Sequence, residues 1–147
     1  MATTEPSEAQ IQRFRDADQE APITMVNLLK FRDVARYDEI DFAKYGQVSG
    51  REAYQRYAAV ASRKIRENGG SILFLAPAEQ PFVGDEDDAW DQVVIVEYQS
   101  RTAYLRGFDS YEYREAIRHR IAGLEKRLLL QCTLNQISTL GAARTDQ

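Results

Sequence analysis

One cysteine, one histidine and one tryptophan are spread over 147 residues, and the scarcity of each excludes a class of chemistry. A lone thiol, Cys132, forms no intrachain disulfide, and a lone thiol with a lone imidazole cannot assemble the usual zinc sites. No glycine pattern of the G-x-G-x-x-G or G-x-x-x-x-G-K-[ST] type is present, so no nucleotide cradle is indicated, and the G-x-S-x-G elbow of hydrolases is missing too. The first ten residues have neither a cationic start nor an apolar stretch, and no later run approaches the roughly 18 apolar residues needed to cross a bilayer. With 19 basic and 23 acidic residues, the formal charge of −4 provides no field to gather phosphate backbones. These absences predict a soluble, cytoplasmic protein without metal, cofactor, nucleic acid or membrane partner.

What is present fits one domain, long enough to bury a core without staples. Residues 1–21 predict a peripheral helix and linker, residues 22–138 the domain, and residues 139–147 a tail. Ser7 and Gln10 predict a capping box for the first helix. After Pro22, the run from Ile23 to Phe31 alternates as a strand, with Ile23, Met25, Leu29 and Phe31 on one face and Val26 and Leu28 on the other. Residues 32–46 hold Tyr37, Phe42 and Tyr45 among acids, which predicts a partly helical flap. Ser49 with Glu52 caps a long helix in which Tyr54, Tyr57, Ala58, Ala61 and Ile65 recur at helical spacing until Asn68-Gly69-Gly70. Strands follow at 71–75 and 93–98, and Ser100 caps a short helix ending near Gly107. Asp109 with Glu112 predicts a further capping box, its helix carrying Tyr113, Ala116, Ile117, Ile121 and Leu124 as the apolar stripe, and 128–137 supplies the last strand. Cys132, among Leu128, Leu129, Leu130 and Leu134, reads as a reduced core thiol.

The order is strand, helix, strand, strand, helix, strand. That is the split βαβ plan of an α+β, ferredoxin-like protomer, an antiparallel sheet with helices on one face. Because the first, third and fourth strands are apolar on both faces, the second face calls for another copy's sheet, which predicts a homodimer.

The phrases PITMVNLLKF, SGREAYQRYAAV, ENGGSILFLA, WDQVVIVEYQSRTAYL and YREAIRHRIAGLEKRLLLQC resemble the domain-of-unknown-function family thirteen-thirty, within the dimeric α+β barrel superfamily. The likeness runs from about Pro22 to about Thr133. It implies a protomer that pairs through its sheet, with a cleft between sheet and helices where relatives hold small apolar or aromatic molecules. The added N-terminal helix and the longer 32–46 segment depart from the family's usual size and bear on access to that cleft.

Several polar side chains fall where apolar ones are expected. Asn27 lies on the apolar face of the first strand between Met25 and Leu29, either lining a pocket or satisfying nearby backbone. Arg120 falls inside the buried stripe of the last helix, where it clamps an acidic ligand, pairs with Asp91 or Glu97, or snorkels past the helix end. Trp90 and Tyr54 are candidate pocket walls that also suit core or interface packing. Asp91 suits a turn or strand-opening cap, with proton transfer as the functional alternative, and His119, the only imidazole, suits a surface flank with general-base work as its alternative. The Asp85 to Asp88 run matches no Ca²⁺ loop pattern and reads as a solvated turn. Some haem-degrading members of the superfamily use an Asn, Trp and His set. Asn27, Trp90 and His119 imitate it only superficially, because the helix after the third strand offers Tyr104 where those relatives have His.

Two function classes remain. One is a non-catalytic module binding a small aromatic or acidic molecule in the cleft. The alternative is a cofactor-independent enzyme of monooxygenase, isomerase or lyase type acting on such a compound through the same residues. The missing set of acid, base and nucleophile favours the first.

Overall fold

The computed structural model describes residues 3–133. Ser7 opens α1 (Glu8–Asp16): its hydroxyl accepts from the Gln10 N–H while the Gln10 side chain accepts from the Ser7 N–H, so the predicted capping box closes. The chain then forms β1 (Ile23–Phe31) and α2 (Glu39–Tyr45), the latter capped by Asp38 inside the expected flap. α3 (Gly50–Glu67) starts at Ser49, whose hydroxyl accepts from the Glu52 N–H. β2 (Ser71–Pro77) and β3 (Gln92–Tyr98) flank a loop in which Glu86–Asp88 makes a single 3-10 turn. α4 (Arg101–Arg106), α5 (Tyr111–Gly123) and β4 (Leu124–Cys132) follow.

The strands pair antiparallel in the order β2-β3-β1-β4, with β1 and β3 central. Setting aside α1, α2 and α4, the order is βαββαβ, the ferredoxin-like α+β arrangement that the element pattern predicts. Ile23, Met25, Leu29 and Phe31 of β1 and Val96 and Tyr98 of β3 are buried on the inner face, against side chains of α3 and α4 and the start of β4. The outer face carries Val26 and Leu28, in register with Ile95 and Val93 on one side and with Leu130 and Leu128 on the other. It stays open: Leu128 and Leu130 are 41% and 45% exposed, and Phe74 of β2, opposite Ile95, is 50% exposed.

α3 and α5 meet at two glycines. A Cβ on Gly123 would lie 2.4 Å from the Gly50 carbonyl oxygen, and one on Gly50 2.6 Å from that of Gly123. This backbone contact also anchors the start of the flap, because the Arg32 N–H donates to the Gly123 carbonyl and the Gly50 N–H to that of Arg32.

Several sequence expectations are corrected. The cap of α5 is Ser110, accepting from the Tyr113 N–H, and not Asp109, since the helix begins one residue later than the acidic spacing suggests. Its stripe is shorter than expected: Ile121 is half exposed, and Leu124 has left the helix for extended backbone. β4 therefore begins at Leu124 and not at Leu128, while the expected continuation to Ile137 lies outside the described residues. Cys132 is partly exposed, in register with Thr24 on the outer side of the sheet, and is not a core thiol.

Candidate functional site

Between the inner face of the sheet and α3 lies a cavity of about 400 Å³, lined by Asn27, Tyr54, Tyr57, Tyr98, Tyr104 and Arg120 among others. That volume suits a small organic molecule. Asn27 reaches it because its position on β1 shares the inner face with Met25 and Leu29. Its Nδ2 donates to the Val94 carbonyl at 3.2 Å and more weakly to that of Met25 at 3.5 Å. Both partners only accept, which fixes the amide orientation and leaves Oδ1 as the part not engaged by the sheet.

Arg120 lines the cavity from α5. It sits in the last turn of α5, where a cation complements the helix dipole, yet it is only 7% exposed. Nη2 donates to Glu5 Oε1 at 2.8 Å, Nη1 reaches the Tyr113 hydroxyl at 3.4 Å, and the guanidinium lies 5.3 Å from the centre of the Tyr57 ring. Nε is buried and has no partner among the described residues. A buried donor left unpaired costs free energy. The pairing with Asp91 or Glu97 that the sequence allowed is replaced by one with Glu5, 115 residues away.

The tyrosines form a connected wall. The Tyr57 and Tyr113 hydroxyls are 2.8 Å apart, and ring contacts run from Tyr54 through Tyr57 to Tyr113 and on to Phe108 and Tyr104. Burial raises the pKa of Tyr54, Tyr98 and Tyr113, and that of Tyr104 to about 12, so these phenols stay neutral near physiological pH. As neutral phenols they offer apolar walls with hydrogen-bonding tips. No described residue lining the cavity is Asp, Glu or His, whereas Arg66, Arg120 and Arg127 are all present.

Arg127 is the residue that sequence reasoning missed. It stands opposite Leu29 on β4 and so faces inward with Leu129, which pairs with Asn27. Placing the strand start at Leu128 hid this; the period-2 pattern, extended back through Arg127, was the available signal.

Three other candidates stand apart from the cavity. The Trp90 ring lies 4.7 Å from Lys126 Nζ in a cation–π contact and does not line the cavity wall. Asp91 Oδ2 accepts from the Phe31 N–H at 2.8 Å and Oδ1 meets Lys30 Nζ at 3.5 Å, so its carboxylate ties β1 to the opening of β3. His119 Nδ1 lies 2.6 Å from the Tyr37 hydroxyl, and Tyr45 packs edge-on to its ring, so the imidazole is held against the flap and is not a bare surface group. The flap is tied down by Asp41, whose buried carboxylate accepts from Arg118 at 2.6 Å, and none of residues 32–46 lines the cavity. The N-terminal segment does border a space: a second cavity of about 480 Å³ is lined by Glu5, Phe14, Tyr104, Tyr113, Arg120 and Arg127 among others.

Residues 42–131, which include β2, β3, α4, α5, most of β4 and all of α3, match the family described as Domain of unknown function (DUF1330). The chain belongs to the DUF1330 family. Among solved structures it is similar to the RPA0582 protein of unknown function from Rhodopseudomonas palustris, with 30% identity and a TM-score of 0.80 over 90% of this chain and 96% of that one. The methylated form of RPA0582 is similar to the same degree, over 90% of this chain and 94% of that one. No curated protein matches the chain. For this DUF1330 chain, no helix among the described residues is long and apolar enough to cross a membrane.

Proposed function

We propose that this DUF1330 protein is a homodimeric, non-catalytic module that binds a small aromatic acid in the cavity between its sheet and α3. The observation that carries this reading is the buried Arg120, a cation lining a tyrosine-walled cavity whose described lining holds no Asp, Glu or His. A carboxylate would reach Arg120 and Arg127 while its aromatic body stacked among Tyr54, Tyr57 and Tyr104, and Asn27 Oδ1 would accept from a hydroxyl or amine on the ring. Proton-transfer roles for Asp91 and His119 fit less well, because both side chains are engaged elsewhere in the fold.

The dimer is supported by the open outer face, an apolar patch of Val26, Leu28, Val93, Ile95, Leu128 and Leu130 that one chain leaves in water. A second copy of the same patch would cover it under two-fold symmetry.

The binding reading is tested with 2-naphthoate, a carboxylate on an aromatic body, and its neutral amide. Arg120→Met keeps the apolar stem and removes the charge. It should weaken naphthoate by about 1.5–3 kcal/mol, the range for charge-assisted hydrogen bonds, and leave the amide unaffected. Asn27→Leu serves as the companion variant from the sheet side. Lowered melting temperatures in both, with an unchanged response to naphthoate, would reduce the pair to a core cation and a core amide.

A further inference from the structure

The carboxylate site is already filled by the protein's own chain. Glu5 presents Oε1 to Arg120 Nη2 at 2.8 Å and Oε2 to Arg127 Nη2 at 3.9 Å, bridging the two guanidiniums where the two cavities meet. Both cavities share Tyr104, Tyr113, Arg120 and Arg127, so Glu5 stands at the charged end of the aromatic space. Resting on the binding reading above, we infer that Glu5 is an internal stand-in for the ligand's carboxylate, and that residues 3–16 form a strap which an aromatic monocarboxylate must displace to bind.

Two sets of observations support this. The Arg pair is built into the fold: Arg120 and Arg127 side chains are 8% and 14% exposed, on α5 and on the inner side of β4. The strap lies on the surface: no residue from 3 to 16 is buried, Phe14 packs on the core while partly exposed, its ring 5.4 Å from that of Tyr104, and the Glu5 side chain is half exposed although its partner Arg120 is enclosed. Residues 3 and 4 hold on to a single position, the Arg127 N–H donating to the Thr3 carbonyl at 3.0 Å and Arg127 Nε to that of Thr4 at 2.5 Å. β4 is an edge strand, so this attachment uses backbone that no neighbouring strand claims. Few buried contacts over a weakly tied terminal segment are the marks of a region that opens locally at little cost. The linker that follows is better fastened, with Gln19 accepting from Thr102 and Asp18 from Arg101 through their carbonyls, so the strap would swing from the Asp18–Gln19 end. Opening would join the two cavities around the freed guanidiniums.

An internal competitor lowers apparent affinity by the fraction of molecules in which the site is free. Removing its charge should therefore tighten binding of an acid and leave a neutral analogue unchanged. The test uses the full chain, 2-naphthoate and 2-naphthamide. Glu5→Gln should bind naphthoate about tenfold more tightly than the unaltered protein, a change of the size that one charge-assisted hydrogen bond commands. Independently of any variant, saturating naphthoate should speed tryptic cleavage after the exposed Arg13 and Arg15 in the unaltered protein, because the strap is then released. Equal affinities with unchanged cleavage would overturn the strap and leave the cavity reading standing. Weaker binding by Glu5→Gln would also overturn it, making Glu5 a supporting residue. Failure of both proteins to bind naphthoate would overturn the cavity reading, and the strap with it.

Discussion

The Tyr37 hydroxyl lies 2.6 Å from Nδ1 of His119 and accepts from Arg56 Nη1 at 3.2 Å. This bond joins the flap to α5: a neutral ring protonated at Nε2 accepts the phenol proton at Nδ1, whereas a ring carrying a proton on Nδ1 donates to the phenol oxygen.

Burial is the largest influence on His119 and pulls its pKa below 6.5; Arg56 of α3, Arg118 of α5 and Lys44 of α2 repel the proton, and Asp41 opposes them. As pH falls, the unfolded chain takes up this proton first. Stability present above about 6.5 is therefore lost as the pH drops toward the lower folded-state value. Proton NMR of the single imidazole should show it titrating below 6.5. The melting temperature should fall between about pH 7.5 and about pH 5.5, less steeply in His119→Gln. Titration at or above the ordinary value, or equal slopes in the two proteins, would contradict the preference of this buried, cation-flanked site for the neutral ring.

Asp91 offers a cleaner separation of fold from function. Its carboxylate accepts the Phe31 N–H and faces Lys30, both partly buried. Asp91→Ala should cost about 1.5–3 kcal/mol of stability, the scale for hydrogen bonds to a charged group, and leave the response to naphthoate unchanged. Denaturant unfolding with a parallel binding titration reads both. A changed naphthoate response at full stability would return Asp91 to the functional site.

The sheet and its helices were legible because their signals are local. β1 announces itself by alternation, α1 and α3 by Ser caps, and Arg120 by falling on a helical stripe. The site's electrostatics were not. Arg120 and Glu5 are 115 residues apart, and no spacing rule joins a solvated glutamate near the start of a chain to a helix at its end. Arg127 was hidden for another reason: α5 passes into β4 with no loop residue between Gly123 and Leu124, so no turn signal marks where the period changes from helix to strand. Trp90 misled in the opposite direction, since a lone aromatic before a strand looks like a pocket wall until its stacking partner, Lys126, is known.

That abrupt helix-to-strand passage makes Gly123 sensitive. An added methyl would meet the Gly50 carbonyl oxygen at 2.4 Å and the Tyr54 amide nitrogen at 3.0 Å, both backbone atoms that cannot rotate away. Gly123→Ala should force α3 and α5 apart and destabilise by about 1–3 kcal/mol, the usual range for overpacking. Because Tyr54 and Tyr57 ride on α3, the same change should disturb the cavity and weaken naphthoate. Thermal unfolding at native-like stability would show that the contact relaxes.

The outer face of the sheet carries the last prediction. Val26 and Leu28 lie at its middle, flanked by Ile95 and Val93 on β3 and by Leu130 and Leu128 on β4, with charged Lys30, Glu97 and Lys126 toward the strand ends. An apolar centre with a polar rim is the composition of a protein interface, and leaving it in water would expose contiguous hydrocarbon from three strands. Sedimentation equilibrium at micromolar concentration should give a homodimer for the unaltered chain and a monomer for Leu28→Lys, in which a charge is placed at the centre of the patch. Cys132, at the border of this face beside Thr24, supplies an independent readout. Its thiol should react slowly with a disulfide reagent in the dimer and faster in Leu28→Lys, because pairing removes it from solvent while the sheet itself leaves it partly open. A stable monomer of the unaltered chain, with Cys132 equally reactive in both proteins, would mean that the face is a solvated sheet surface and that the cavity is complete within one chain.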